Sequence, residues 1–347
     1  MNERHLEPHG GDSRPEEGAV VRELLERAGP LPPIPDDDLA ALTAAARRAW
    51  QKGWPAPRPR ARPESYWALA AALAMALGAV TWWGWLRGEP TVARVDTVRG
   101  AVRLRAPGEG WRSLAASDEL RAGTWLESDA AGGGPADTGG TVALRLAEGV
   151  DLRLDAGSRL QILGPRTLHL AGGALYVDTG GPAGPVPSIE VRTLLGVARD
   201  IGTRFSLRLE LSDEPTLRVQ VRDGAVAVDS GDRRQVTEAG KEGLLLGDGT
   251  RHIQELAPYG PEWDWVLGAA AAFDVEGRTL AEFLTWVRHE TGWRIDYADE
   301  EVEADASGIV LHGGIGDMRP DRAPFALLPG AGLEGRLEGG RLVIARR

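Results

Sequence analysis

One uncharged apolar run, Tyr66 to Leu86, constrains this chain more than any other feature. Its 21 residues are enough, at helical rise, to cross a hydrocarbon layer once with modest tilt. The 65 hydrophilic residues ahead of it do not fit a cleaved secretory signal, which begins within the first few residues and ends in a small-residue cleavage site. The run is therefore expected to remain as an anchor, with Tyr66 and Trp67 at one interface and Trp82, Trp83 and Trp85 at the other. Arg47, Arg48, Lys52, Arg58, Arg60 and Arg62 crowd the approach to it, whereas residues 1–45 hold four basic and ten acidic residues. That asymmetry predicts a cytoplasmic N-terminus and an exported C-terminal part.

The rest of the composition limits the chemistry. There is no cysteine, which excludes disulfides, thiolate metal sites and cysteine nucleophiles. A net charge of -11 argues against wrapping nucleic acid, because only the Arg/Pro linker beside the apolar run is basic enough to meet phosphates. That linker is expected to face anionic lipid headgroups of the bilayer.

Residues 1–65 carry two short amphipathic patterns separated by Pro30-Leu31-Pro32-Pro33-Ile34-Pro35, which cannot continue a helix. The first holds Val21, Leu24, Leu25 and Ala28. The second follows Asp36, Asp37 and Asp38, good helix-starting residues, and places Leu39, Leu42, Ala46 and Trp50 on one face. A lone helix of this length is marginal in water, so the face needs a partner, with Trp50 and Trp54 as natural aromatic anchors.

Between Thr91 and about residue 250 the apolar residues alternate, as in Val142, Leu144, Leu146, then Phe205, Leu207, Leu209, then Leu217, Val219, Val221. Period two predicts strands with one buried face, and turn signals such as Glu148-Gly149, Ala156-Gly157 and Asp223-Gly224 recur at the spacing of a sandwich, roll or solenoid of short strands. An all-β domain is expected over residues 91–250.

Particular residues here carry a resemblance. Val98-Arg99-Gly100-Ala101-Val102, then Trp111, Leu114, Leu120 and Gly123, then Leu152-Arg153-Leu154 with Gly157-Ser158, precede Gly173-Ala174-Leu175-Tyr176-Val177-Asp178. Asp200-Ile201-Gly202-Thr203-Arg204-Phe205 and Val221-Arg222-Asp223-Gly224-Ala225-Val226 follow. In order and spacing this stretch resembles the FecR domain of bacterial membrane sensors. The resemblance implies one inner-membrane span, a short cytoplasmic N-terminus that binds an extracytoplasmic-function sigma factor, and a periplasmic part that receives a signal, typically from the signalling domain of a TonB-dependent outer-membrane receptor. On that reading Leu39, Leu42, Trp50 and Trp54 are the candidate sigma-factor-binding residues.

Residues 273–347 change rhythm. Strands are expected at Phe273-Asp274-Val275, Trp293 to Tyr297, Gly308 to His312, Leu333 to Leu337 and Arg341 to Ile344, with helices over Thr279 to Glu290 and near Ala323 to Leu328. This order resembles the small α+β secretin and TonB N-terminal (STN) domain that some FecR-like proteins carry at their C-terminus, where exposed edge strands would meet the receptor.

Catalytic signals are sparse. The G-x-G-x-x-G at Gly330, Gly332 and Gly335 has no strand leading into it and a strand after it, so it lacks phosphate-binding geometry. The six histidines are dispersed, and the acidic patch Asp296, Asp299, Glu300, Glu301, Glu303 and Asp305 lacks calcium-loop spacing and is expected to be a solvated surface loop. Neither a cofactor nor a metal is expected, nor turnover of an external substrate. One bond is a candidate for self-cleavage: the Thr203 hydroxyl lies beside the Gly202 carbonyl, and attack there converts an amide into an ester that water can hydrolyse. The resemblance includes this Gly-Thr step, at which some FecR-like proteins cut themselves.

The expected whole is a multi-domain membrane protein: a sigma-factor-binding segment at 1–65, partly disordered, a transmembrane helix at 66–86, a FecR-like β domain at 91–250 and an STN-like domain at 273–347. It would be an inner-membrane regulator with no direct nucleic-acid contact. The alternative is an envelope scaffold that uses the FecR-like domain without a sigma-factor partner, a reading kept open by the Pro-rich N-terminal segment.

Overall fold

The computed structural model describes residues 40, 43–48, 90–130, 139–180, 188–200, 202–316 and 318–347. The chain divides into two compact units, Met1–Trp82 and Trp83–Arg347. In the first, residue 40 and residues 43–48 are helical and exposed, in the place expected for the second amphipathic helix. Leu39, Leu42, Trp50, Trp54 and the apolar run 66–86 lie outside the described residues. Among the described residues no helix is long and apolar enough to cross a membrane.

The second unit starts with a two-layered β-roll. One layer runs in the order β4 (Glu119–Arg121), β1 (Thr91–Arg99), β6 (Thr141–Leu146), β7 (Asp151–Leu154), β9 (Thr167–Asp178), β12 (Arg204–Glu210), β13 (Thr216–Asp223), β16 (Lys241–Leu246) and β17 (Arg251–Glu255). The other runs β3 (Arg112–Ser113), β2 (Val102–Arg105), β5 (Thr124–Ser128), β8 (Arg159–Ile162), β9 again, β10 (Glu190–Arg192), β11 (Val197–Asp200), β14 (Ala225–Ser230) and β15 (Arg233–Glu238). Successive hairpins alternate between the layers, and β9 belongs to both, leaving one for the other at Gly172-Gly173. Neighbouring strands are antiparallel except β9 with β10.

The alternation read in the sequence explains this directly. Leu152, Leu175, Val177, Phe205, Leu207 and Val219 from one layer meet Leu126, Leu160, Leu168, Val191 and Val226 from the other in one continuous core.

The chain after β17 builds a smaller α+β domain with its own core. A 3₁₀ turn at Pro261–Trp263 leads into α1 (Asp264–Gly268). Helix α2 (Leu280–Thr291) is started by a capping box, in which the Thr279 side chain accepts from the Glu282 N–H and the Glu282 carboxylate accepts from the Thr279 N–H. Its Leu280, Phe283, Leu284 and Val287 are buried, as the period predicts. A three-stranded sheet follows, with β20 (Arg341–Arg346) between β18 (Arg294–Tyr297) and β19 (Leu333–Glu338). Helix α4 (Ala323–Leu327) and a 3₁₀ turn at Leu328–Ala331 precede β19.

Three expectations for this domain need correction. Phe273–Val275 is not a strand: Phe273 stacks on Trp286 of α2 at 5.1 Å between ring centroids, and the segment packs through side chains without pairing its backbone in a sheet. Gly308–His312 contributes only an isolated bridge between Val310 and Thr279. The acidic patch is not a loop; its later residues form helix α3 (Glu300–Gly308). Asp299 caps it by accepting from the Val302 N–H at 2.9 Å, and Glu300, Glu301 and Glu303 occupy the turn where the helix dipole favours negative charge. Val302 and Ala306, four residues apart, supply the buried face.

The roll and the smaller domain meet over the outward face of β7, β9, β12 and β13. Alternation makes that face polar, yet it is covered. Arg153 of β7 reaches Glu290 of α2 with N–O distances of 2.7 and 2.8 Å, and donates to the Val266 carbonyl at 3.1 Å. Both side chains are less than a tenth exposed. Arg222 of β13 donates to the Glu290 carbonyl at 2.7 Å and lies 4.2 Å over the Trp263 ring, which meets Tyr176 of β9 edge-on.

Glu290→Ala would leave Arg153 charged and buried without its partner. The expected loss is about 3–5 kcal/mol, read as a lower urea midpoint, because a buried ion pair costs most when one member is removed. An Arg153→Met, Glu290→Leu double variant should recover most of it.

Candidate functional site

Two sequence-derived candidates, Gly202 and Thr203, lie where the chain crosses from β11 in one layer to β12 in the other. Gly202 takes φ +66°, a left-handed conformation that side chains rarely adopt. The next crossover, from β13 to β14, packs against it at Gly224, where a Cβ would stand 2.4 Å from the Gly202 carbonyl oxygen and 2.5 Å from Thr203 Cγ2. Only a glycine lets these two crossings nest.

Thr203 is buried. Its N–H donates to Thr179 Oγ1 at 2.8 Å, and its carbonyl accepts from the Thr179 N–H at 3.0 Å. Asp200, also buried, holds the other end: Oδ2 accepts from the Thr179 hydroxyl at 2.8 Å and from the Thr203 hydroxyl at 3.3 Å, while Oδ1 accepts from the Ile189 N–H. The scissile-bond candidate thus has a carboxylate fixed beside its hydroxyl. Asp200 sits three residues before Thr203 and was visible in the same motif. Thr179 is 24 residues away in sequence, and only the pairing of β9 with β12 brings it here.

One residue before Thr179, Asp178 faces the smaller domain. Its Oδ2 lies 2.6 Å from Nε2 of His289 on α2, and Arg204 of β12 donates to the His289 carbonyl at 2.7 Å. Burial opposes ionisation of Asp178, but the hydrogen bond and charge of His289, the Gly180 N–H and the charge of Arg204 outweigh it and hold the carboxyl below the usual carboxylate range. The network that holds Thr203 and the contact with α2 therefore occupy consecutive residues of one strand end.

The four residues expected to bind a partner, Leu39, Leu42, Trp50 and Trp54, lie outside the described residues, so the structure does not place them. Among the described residues no group of three or more His, Asp or Glu side chains is arranged to hold a metal ion.

A roll of alternating hairpins with a small α+β domain over one face is the class this architecture defines. Residues 136–227 match the family model described as FecR protein. That match runs from β6 into the first half of β14 and contains the Gly202-Thr203 crossing. Two crystal structures of a candidate anti-sigma factor from Parabacteroides distasonis ATCC 8503, at 2.50 and 1.65 Å resolution, align over 64% of this chain and 98% and 99% of theirs, at 15% and 16% identity and TM-scores of 0.34. A structure named as a cell surface anchoring domain aligns over 21% of this chain and 86% of its own, at 15% identity and a TM-score of 0.18. At these TM-scores neither likeness bears on function. Comparison with curated proteins gives no match.

The depressed Asp178 carboxyl has a thermodynamic consequence. The folded state holds that proton less tightly than the unfolded chain, so the stabilisation is present above the unfolded carboxylate value of about 3.9 and is lost as pH falls through the native one. The gap in urea midpoint between the native chain and Asp178→Asn should narrow as pH drops from 5 towards 3, at about one-unit steps. A gap that stays constant would contradict the assignment.

Proposed function

We propose that this chain is a single-pass inner-membrane signal transducer that regulates an extracytoplasmic-function sigma factor. The observation that carries the reading is the FecR family match at 136–227, beside an apolar run of spanning length preceded by a basic stretch. In this reading residues 1–65 lie in the cytoplasm and hold the sigma factor through the helix face bearing Leu39, Leu42, Trp50 and Trp54. The β-roll and the STN-like domain stand in the periplasm, and the signalling domain of a TonB-dependent outer-membrane receptor delivers the signal to them. Strand β19, at the edge of its sheet, offers a means of strand addition. Holding a sigma factor off RNA polymerase requires only that a helix face cover a surface the polymerase needs, so affinity and removal of the binder set the output.

Capture of the full chain from its native host, with bound proteins identified by mass spectrometry, tests this. One alternative sigma factor should co-purify and be lost when Leu42 and Trp50 are changed to Asp. No sigma factor, or one indifferent to both changes, would favour the envelope-scaffold reading.

Self-cleavage at Gly202-Thr203 forms part of the same proposal. With Asp200 accepting its proton, the Thr203 hydroxyl oxygen bonds to the Gly202 carbonyl carbon. The C–N bond breaks, and the departing nitrogen takes a proton to become the Thr203 amine. Water then hydrolyses the ester, leaving a Gly202 carboxylate and restoring the hydroxyl. Support comes from the 3.3 Å approach of the hydroxyl to the Asp200 carboxylate. Thr203→Ala should abolish a fragment starting at Thr203, and Asp200→Asn should slow its appearance by about a hundredfold or more, the range for a lost general base. Full-length protein as the only species in native and variant chains alike would remove this step.

A further inference from the structure

The roll ends differently on its two sides. On one, β3 has two residues and β4 three, and the register of β1 with β4 slips between Thr91 and Ala93, features that blunt a sheet edge. On the other, β17 runs five residues against β16 with no bulge and no proline, and among the described residues no strand lies beyond it. Its last four residues, His252 to Glu255, are exposed.

Which backbone groups of β17 are open follows from the antiparallel ladder. The Leu246 N–H donates to the Thr250 carbonyl and the Leu256 N–H to the Gly240 carbonyl, so His252 and Gln254 are the residues that bond to β16. Arg251, Ile253 and Glu255 turn their N–H and C=O groups away from the sheet. Their side chains share the face towards the other layer: Arg251 is opposite the core residue Leu245, and Ile253 is opposite Gly243, where a Cβ would run into Thr237 Oγ1 of β15. Ile253 is nevertheless 52% exposed, because the roll stops there.

These residues complement themselves. In an antiparallel pair centred on Ile253, Arg251 meets Glu255 of a second copy, Ile253 meets Ile253, and each open N–H finds an open C=O. His252 meets Gln254, so no like charges are opposed. Strand β15, the edge of the other layer, repeats the pattern: the Ala239 N–H bond to the Gly224 carbonyl leaves Arg234, Val236 and Glu238 facing away from β14, with Val236 44% exposed. Gln235 Nε2 donates to the His252 carbonyl at 3.2 Å and holds the two edges level.

We propose that this open end of the roll is a homodimer interface, in which β17 pairs antiparallel with β17 of a second copy about a two-fold axis at Ile253. The sheet then continues across the axis, and the two Ile253 side chains extend the core between the layers. The interface is independent of the sigma-factor reading, of self-cleavage and of the β19 edge.

Sedimentation of the full chain in density-matched detergent, at up to about 100 μM to suit a small interface, should show a monomer–dimer equilibrium. Ile253→Pro removes an N–H that serves only the second copy, so it should weaken the dimer by about tenfold or more while the circular dichroism of the fold is kept. Glu255→Arg should weaken it too, by setting a cation against Arg251, and mixing that variant with Arg251→Glu should restore a dimer containing one of each. The chain has no cysteine, so Ile253→Cys supplies a single thiol. Two such residues in a bonded pair stand about 5.5 Å apart at Cα and should oxidise to a covalent dimer. Leu337→Cys, exposed on edge strand β19, should not. A chain that stays monomeric, as it would if a strand of a different protein fills this edge, would overturn the proposal. So would a dimer that Ile253→Pro leaves intact or Ile253→Cys fails to crosslink, as one held by the apolar run alone would be.

Discussion

The arrangement of this molecule beyond the apolar run turns on one buried contact, the Arg153–Glu290 pair. Taking both charges out of water costs several kcal/mol per ion, and the cost is offset only where geometry is good and the remaining donors are met. Both conditions hold: two nitrogens of Arg153 bind both Glu290 oxygens, the Val266 carbonyl takes another of its hydrogens, and the Tyr176 ring lies 5.4 Å away. Such a pair specifies position more than it adds stability. Helix α2 is placed on the sheet in the one setting that buries Glu290 against Arg153, and from this follow the Arg222–Trp263 stack and the His289–Asp178 contact.

The same setting links the smaller domain to the Gly202-Thr203 crossing. Asp178 touches α2, and its neighbour Thr179 holds the Thr203 amide and faces Asp200. A displacement of α2 therefore acts on the end of β9 one residue from the network that fixes Thr203. The nesting of Gly202 against Gly224 leaves that crossing little room to adjust.

Much of the roll was legible because period-two alternation maps directly onto an inward face, as at Phe205, Leu207 and Leu209. Whether the strands make a sandwich, roll or solenoid was not legible, since that depends on which hairpins pair across the layers. Helix α2 announced itself through Thr279, Glu282 and its apolar period. Helix α3 did not, because only Val302 and Ala306 are buried among its acidic and small residues and its cap at Asp299 looked like one more acid in a charged patch. The domain seam was hidden for a similar reason: Arg153 and Arg222 fall on the face that alternation assigns to solvent, and their partners lie far along the chain. Of the cleavage candidate, Gly202, Thr203 and Asp200 were readable from one motif, whereas Thr179 needed the strand pairing.

Scanning calorimetry of the full chain tests most directly whether the roll and the smaller domain form one unit locked by buried charge. The account predicts that both unfold in a single cooperative transition, with calorimetric and van't Hoff enthalpies that agree. Two resolved transitions, with the smaller domain melting first while the roll stays folded, would contradict it.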